Sequence, residues 1–276
     1  MQRIRLLSIL NWIAFIVTLS INTLSNVPGT FAMTSQQAGE SRALFFLPAG
    51  YVFAIWGVIY LALGTYLTYQ ARPVNRDNPI QDQIGWWFIV SCLGNIGWLV
   101  FFLNGETWLS VIPILLLLVS LLMIYTRLGI GRKQVSTLEK WAVHIPFSIY
   151  LGWVSVANVA NFSAALYSSG NVTSFLGIGA DIWTVIMMAV AGVLALAMIF
   201  TRRDIAYALV VIWALIGIYA RPFDTPLYDV LSSLNAGLVH TAALVISIVI
   251  ALAIVGGLLM RRPAASSAPQ PQSARA

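Results

Sequence analysis

Three apolar stretches of the sequence carry neutral polar and aromatic side chains whose types could form a ligand site. The stretch YLGWVSVANVAN, for example, places Tyr150, Trp153, Ala157 and Asn161 in an otherwise apolar run. An amide in hydrocarbon without a partner costs on the order of a few kcal/mol, so these side chains must face protein, water or a ligand. Amides both donate and accept hydrogen bonds, so any of the three could satisfy them. Which of the three these side chains face is the question that the stretch raises.

The spacing of these residues places them on single faces of three helices, because positions i, i+3, i+4 and i+7 share a helix face. The stripes are Phe53, Trp56, Tyr60 and Gly64; Asn95, Trp98 and Phe102; and Trp153, Ala157, Asn161 and Ala164, with Tyr150 one turn earlier. Trp56, Trp98 and Trp153 lie deep within their runs, away from the span ends where tryptophan is enriched. Spacing alone leaves two interpretations open, namely helix packing and a ligand pocket.

The composition requires a membrane to position these stripes. Of the 276 residues, 59% are hydrophobic and 9% are charged, against roughly 25% charged in a soluble domain. The expected fold is an all-α, polytopic membrane helical bundle. The net charge of +6 is explained below by the loops and does not indicate nucleic-acid binding. One cysteine allows no intrachain disulfide, and two distant histidines, His144 and His240, do not indicate a metal site.

Apolar runs of about 20 residues are long enough to cross a bilayer, and the sequence predicts eight of them. They are Leu6–Leu24, Tyr51–Tyr69, Ile84–Leu103, Trp108–Tyr125, Trp141–Leu166, Ile182–Phe200, Ile205–Tyr219 and Leu238–Met260. The seventh is short, and only Arg202, Arg203 and Asp204 separate it from the sixth. The first run has a second interpretation as a signal peptide, because Arg3 and Arg5 precede it.

The positions of the charges predict the orientation. With the N-terminus inside, all of the 15 Lys and Arg residues except Arg42 and Arg221 fall on the inner side, as cytoplasmic loops require. Both termini are therefore expected in the cytoplasm. The spans lack the charged residues that ion-coupled pumps generally need. Four titratable residues near the outer surface are expected to be solvated rather than to form a site: Asp181, Asp224, Asp229 and His240.

Two segments outside the spans have a predicted character. The outer loop from Ser25 to Phe46 is longer than a usual bundle connection, which is typical of a lid or a disordered segment. Within it, Pro28-Gly29, Gln36 and Gln37 give no indication of a helix. Residues 263–276 form a polar tract that is expected to be a disordered cytoplasmic tail.

Three motifs together resemble the tryptophan-rich sensory protein family, which includes the mitochondrial translocator protein (peripheral benzodiazepine receptor). Its helices 2, 3 and 5 carry W-x-x-x-Y, L-N-x-x-W and W-x-x-x-A-x-x-x-N. The corresponding residues, in the same order, are Trp56 and Tyr60; Asn95 and Trp98, with Gly94 in place of the leucine; and Trp153, Ala157 and Asn161. The resemblance covers residues 1–166 as a five-helix domain. Residues 167–262 would add three transmembrane helices as a C-terminal extension.

The resemblance implies a cavity inside the five-helix bundle, with the long first loop as its lid. Family members bind flat hydrophobic ligands, notably porphyrins and haem, and are typically homodimers. The residues that would line this cavity are Phe53, Trp56, Tyr60, Asn95, Trp98, Tyr150, Trp153, Ala157 and Asn161. Asn158 lies about 80° away from that face and is expected to bond a neighbouring helix. No cofactor is required; porphyrin or haem would be a ligand.

Three functions follow from these observations. The first is a receptor or carrier for porphyrin-like ligands, located in a bilayer that is expected to be a bacterial plasma membrane. The second is a secondary transporter of another small neutral metabolite, which eight spans would allow. The third is a porphyrin-degrading enzyme. The sequence shows no nucleophile–base pair, metal cluster or phosphate loop, which argues against this function. We adopt the first as the working hypothesis.

Overall fold

The computed structural model describes residues 2–75, 78–170 and 173–259. In these ranges the chain is helical apart from its loops and one short ribbon, in which β1 (Ser174–Phe175) pairs antiparallel with β2 (Ile178–Gly179). The α-helices are α1 (Gln2–Leu24), α2 (Ser35–Glu40), α3 (Ile55–Ala71), α4 (Ile80–Ile84), α5 (Trp87–Leu103), α6 (Thr107–Leu128), α7 (Thr137–Glu139), α8 (Ile145–Ser168), α9 (Ala180–Ala197), α10 (Ile205–Tyr219) and α11 (Ala236–Leu259). The tail predicted to be disordered, residues 263–276, lies outside the described residues.

Five tighter or wider turns extend or connect these helices. The 3₁₀ turns are Gly50–Ala54, Pro73–Asn75 and Pro226–Leu231, and the π-helical turns are Lys140–His144 and Met198–Arg202. The two π-helical turns join α7 to α8 and extend the end of α9. Such turns occur often at functional sites.

The eight predicted spans coincide with the eight longest helices, so the protein is an all-α, polytopic membrane bundle. By length and composition, six helical segments could cross a membrane: Leu6–Leu24, Gly50–Ala71, Thr107–Leu128, Thr137–Ser168, Ala180–Arg202 and Ala236–Leu259. The other two, α5 and α10, have 17 and 15 residues, which is about 25 Å and about 22 Å of helix. Both are surrounded by longer helices, α5 by α1 and α6, and α10 by α8, α9 and α11.

The last three long helices attach to the first five mainly through α10, which packs along α8. Gly152 permits this close crossing, because a Cβ atom there would lie 3.1 Å from the carbonyl oxygen of Tyr207 and 3.2 Å from Cβ of Val210. Gly94 of α5 has the same role against α6, where a Cβ would lie 2.9 Å from the carbonyl oxygen of Pro113. Small residues thus set the distances between neighbouring helices.

The tight turn before α10 follows from two residues. Arg203 adopts a left-handed conformation (φ 54°) that ends the preceding π-helical turn. Asp204 then caps α10, because its side chain accepts a hydrogen bond from the backbone N–H of Tyr207 at 3.1 Å. A left-handed residue followed by an aspartate cap reverses the chain within a few residues.

The outer loop contains a helix, and the prediction that Gln36 and Gln37 give no helix was wrong. Thr34 and Gln37 form a capping box. The Thr34 hydroxyl accepts from the Gln37 N–H at 3.2 Å, and the Gln37 side-chain oxygen accepts from the Thr34 N–H at 2.8 Å. The pattern T-x-x-Q that starts α2 is a known helix-starting signal, and it was present in the sequence.

Two of the four titratable residues expected in solvent are instead held by the protein. Asp181 is buried, and its carboxylate accepts from the backbone N–H groups of Ile182 at 2.9 Å and Asn235 at 3.0 Å. His240 is half-buried, stacks on Phe223 at 4.7 Å and pairs with a backbone carbonyl. Both tie the α10–α11 connection to its surroundings. Asp224 and Asp229 are exposed, as expected.

Candidate ligand-binding site

A cavity of about 460 Å³ lies inside the bundle at the end opposite most of the basic residues. Its walls come from the end of α1, the start of α3, the end of α5 and the middle of α8. Seven of the nine predicted site residues line it: Phe53, Trp56, Tyr60, Trp98, Trp153, Ala157 and Asn161. We call it the aromatic cavity. Its volume falls in the range of small-molecule sites.

Four rings form a continuous row along one wall of the aromatic cavity. Trp56 stacks on Tyr60 at 5.7 Å between ring centroids and on Trp98 at 5.8 Å, with interplanar angles of 21° and 26°. Trp98 in turn stacks on Phe102 at 5.7 Å. Trp153 meets Trp56 edge-on at 6.2 Å and 87°. The row and its perpendicular neighbour make this wall of the cavity aromatic.

Asn161 provides a hydrogen-bond donor to this cavity. Its side-chain oxygen accepts from Nε1 of Trp98 and from Oγ of Ser110, both at 3.0 Å. Since an indole nitrogen only donates, this contact fixes which end of the amide is the oxygen. The amide nitrogen, Nδ2, is buried and finds no partner among the described residues. The protein therefore pairs the side-chain oxygen of Asn161 and leaves its amide nitrogen without a partner among the described residues.

A second unused donor lies on the same helix. Nε1 of Trp153 is buried and has no hydrogen-bond partner within the described ranges. Buried polar groups in folded proteins nearly always have a partner. Both donors belong to residues that line the aromatic cavity.

Asn95 and Tyr150, the other two predicted site residues, do not line the cavity. Asn95 is fully buried and is held on both sides, accepting from Asn22 at 2.8 Å and donating to the Tyr150 hydroxyl at 3.3 Å. Tyr150 lies behind Trp56, with ring centroids 6.1 Å apart. Because the Asn95 amide reaches Asn22 of α1, which does line the cavity, its role is to position the wall. Helix spacing gives the face of a helix but not the depth of a side chain in the bundle.

The expected bond of Asn158 to a neighbouring helix is confirmed. Its amide donates to the carbonyl oxygen of Ile114 on α6 at 3.4 Å, and to that of Val154 at 2.8 Å. Asn158 and Asn161 thus differ as their positions on the helix predicted. One joins two helices and the other faces the cavity.

Arg42 is the site residue that the sequence analysis missed. It is the one charged side chain among the described lining residues and is 7% exposed. Its guanidinium lies over the ring of Phe102 at 4.6 Å and donates to the carbonyl oxygen of Ala38 at 2.6 Å. Burial lowers its pKa from the ordinary value, but an arginine keeps its proton in proteins. Its position as one of two basic residues on the side predicted to be outside was the available signal.

The long loop covers the cavity, as a lid would, and we call residues 25–49 the roof loop. Ser35, Ala38, Leu44 and Leu47 from this loop line the cavity. Its later part is attached to the last three long helices, since Arg221 donates to the carbonyl oxygen of Pro48 at 3.0 Å and the Tyr228 hydroxyl donates to that of Leu44 at 3.3 Å. The added helices therefore help to hold the roof in place.

The fold and the cavity define an integral membrane protein whose helices surround a largely apolar internal site. A family model described as TSPO-like protein matches residues 8–256, and the chain belongs to this family. The match extends from α1 into α11 and so includes the three added helices. Membership places the chain among membrane proteins of the receptor and transporter type. Comparisons with curated proteins and with solved structures gave no match.

Proposed function

We propose that this protein is a membrane receptor or carrier that binds a flat, hydrophobic, carboxylate-bearing ligand such as a porphyrin or haem in the aromatic cavity. The observation that carries the proposal is the row of stacked rings that ends at the buried guanidinium of Arg42. A planar macrocycle would lie against the rings. Its carboxylate would accept charge-assisted hydrogen bonds from Arg42.

The unused donors on α8 support the same ligand class. Nε1 of Trp153 and Nδ2 of Asn161 would donate to acceptor atoms on the ligand, such as pyrrole nitrogens or a second carboxylate. Ala157 lies one helical turn from Trp153 and one from Asn161, and its small side chain leaves space in the cavity between the two donors. A ligand without acceptors would leave both donors unsatisfied, which costs about 1–3 kcal/mol for each group.

The proposal favours recognition of the macrocycle over recognition of a metal. The described lining residues include no histidine, cysteine or methionine, the usual haem ligands besides tyrosine. Metal-free protoporphyrin IX is therefore expected to bind within a few-fold of haem. A strong preference for haem would instead direct attention to the hydroxyl of Tyr60.

Fluorescence quenching tests this function, because three tryptophans line the cavity. The purified protein in detergent is titrated with protoporphyrin IX and with haem, comparing wild type with Trp153→Phe and Asn161→Ala. Trp108→Phe and Asn158→Ala are the matched controls, since neither residue lines the cavity. Saturable quenching that the first pair weakens and the controls leave unchanged supports the proposal. Absent or non-saturable quenching overturns it and favours the transport of another neutral metabolite.

The proposed orientation places the roof loop outside and both termini in the cytoplasm, in keeping with the distribution of basic residues. It is tested in a Cys92→Ser background, because Cys92 is the one cysteine of the chain. Thr30→Cys in the roof loop and Arg132→Cys after α6 are both at exposed positions. An impermeant maleimide applied to intact cells is expected to label the first variant and not the second. The reverse pattern would invert the topology.

A further inference from the structure

A second cavity, of about 880 Å³, lies between α3, α8 and α10 and contains none of the predicted site residues. One end is lined by Lys133, Lys140, Arg202 and Arg203, and the length of the cavity is lined by apolar side chains. We call this cavity the basic groove. Along α10 it extends from Asp204 to Trp213, which is about 14 Å of helix.

The apolar length of the groove faces the hydrocarbon side of the bundle. Val58 of α3 and Leu209 of α10 are 52% and 53% exposed, and Trp213 is 37% exposed. These residues belong to helices that cross or lie within the apolar layer, so their exposed surface meets lipid chains rather than water. The groove is therefore accessible from within the bilayer.

The basic end carries more positive than negative charge. Of the lining residues only Asp204 is acidic, and its carboxylate is occupied by the hydroxyls of Tyr125 at 2.8 Å and Ser148 at 2.7 Å. Among the described residues, the only ion pair joins His144 and Glu139 at 3.8 Å. None of the four cations has a carboxylate within ion-pair distance, so the end of the groove attracts anions.

His144 adds a polar atom that no part of the chain completes. The residue lines the groove and is 5% exposed, and its Nε2 has no hydrogen-bond partner in the described part of the chain. The nearest carboxylate oxygen, on Glu139, is at 3.8 Å, beyond hydrogen-bond distance. An unpartnered imidazole nitrogen on a residue that lines the same groove as the four cations is suited to an oxygen of an incoming anion.

We propose that the basic groove binds an anionic phospholipid, with the phosphate between the cations and His144 and an acyl chain along α3 and α10. Basic pockets between membrane helices are known to hold anionic headgroups. A soluble anion would need only the charged end. The apolar length that opens to the bilayer is accounted for only by an amphiphile. The site lies apart from the aromatic cavity, so it stands or falls independently of the proposed function.

Native mass spectrometry of the detergent-purified full chain tests this site. Wild type is titrated with dioleoylphosphatidylglycerol and dioleoylphosphatidylcholine, which share acyl chains and differ in net charge. The test variant is Lys133→Gln combined with Arg203→Gln, two exposed side chains on the groove. The matched control is Arg132→Gln, an exposed cation of the same loop that does not line the groove.

The wild type is expected to prefer the anionic lipid. The double variant should lose about 25-fold of that affinity, at roughly fivefold for each cation removed, while Arg132→Gln retains it. Equal binding of the two lipids, or an equal loss in Arg132→Gln, would overturn the proposal. Displacement of the lipid by millimolar glycerol phosphate would show a site for soluble anions instead. Unchanged elution of each variant on size exclusion confirms that the fold is intact.

Discussion

The aromatic cavity and the basic groove use the same two helices but select for different chemistry. Adjacent residues of α3 line different sites, with Trp56 in the cavity and Ile55 in the groove. On α8 the two sites follow one another along the helix, with Ile149 in the groove and Trp153, about one turn later, in the cavity. The cavity is enclosed under the roof loop and has one cation, Arg42. The groove opens sideways and has four.

This difference shows what the added helices contribute. In the aromatic cavity, the described lining comes from α1, α3 with the 3₁₀ turn before it, α5, α8 and the roof loop, and none of it from the last three long helices. The groove needs α10 and the turn before it for one wall and for two of its cations. The connection between α10 and α11 anchors the roof loop through Arg221 and Tyr228. The part of the chain after α8 thus supports one site from outside and builds part of the other.

The largest expected effect is a loss of folding stability on substitution of Asp204, which lines the basic groove and not the aromatic cavity. Asp204→Ala removes the acceptor for Tyr125, Ser148 and the N–H of Tyr207. Losing a cap and two hydrogen bonds to a carboxylate is expected to cost about 3 kcal/mol. Thermal unfolding in detergent measures the loss, and Asp204→Asn should recover part of it. Porphyrin titration of the folded variant should remain close to wild type; an equal loss at both sites would show that they are not independent.

Arg42→Gln has the next largest effect and acts on the cavity alone. Removal of one charge-assisted contact should weaken the binding of protoporphyrin IX about tenfold, which corresponds to about 1.4 kcal/mol of binding free energy. The dimethyl ester of the same porphyrin carries no carboxylate, so its affinity should change little. Quenching titrations with both ligands measure the difference. Equal weakening of acid and ester would mean that Arg42 supports the roof loop and does not contact the ligand.

Ala157→Leu tests the space between the two unused donors of α8. The larger side chain fills part of the cavity, so porphyrin affinity is expected to fall at least several-fold, about 1 kcal/mol, without unfolding. The matched control is Ala189→Leu, at an exposed position on α9. Quenching titration and size exclusion give the two readouts. Unchanged affinity in a folded Ala157→Leu variant would remove this face of α8 from the site.

The smallest expected effect is the different salt dependence of ligand affinity at the two sites. Raising NaCl from about 0.05 M to about 0.5 M shortens the screening length several-fold. Phosphatidylglycerol binding at the exposed cations of the groove should weaken about two- to threefold, because exposed charges are screened most. Porphyrin binding in the enclosed cavity should hardly change. The lipid and porphyrin titrations are repeated at both salt concentrations. A larger loss of affinity for porphyrin than for phosphatidylglycerol would show that the sites were assigned wrongly.

Much of the cavity wall was predictable because helical periodicity is local. Residues spaced by three or four positions share a face wherever the helix lies, which placed Trp56, Trp98 and Asn161 each on the polar and aromatic stripe of its own helix; that the three stripes share one cavity was an implication of the family resemblance. The same argument failed for Asn95, since its depth depends on the distance to Asn22 on another helix. Arg42 was missed because its position depends on the folding of the roof loop over Phe102.

By itself the sequence determined that the chain is a bundle of membrane helices, where those helices lie to within about four residues at each end, and which residues share a face. These properties follow from apolar length and local periodicity. Only the tertiary structure decided that Asn161 keeps a free donor, that Arg42 closes the row of rings, and that Lys133 and Arg203 meet at one groove. Each of these is a contact between segments far apart in the chain, set by how closely the helices pack.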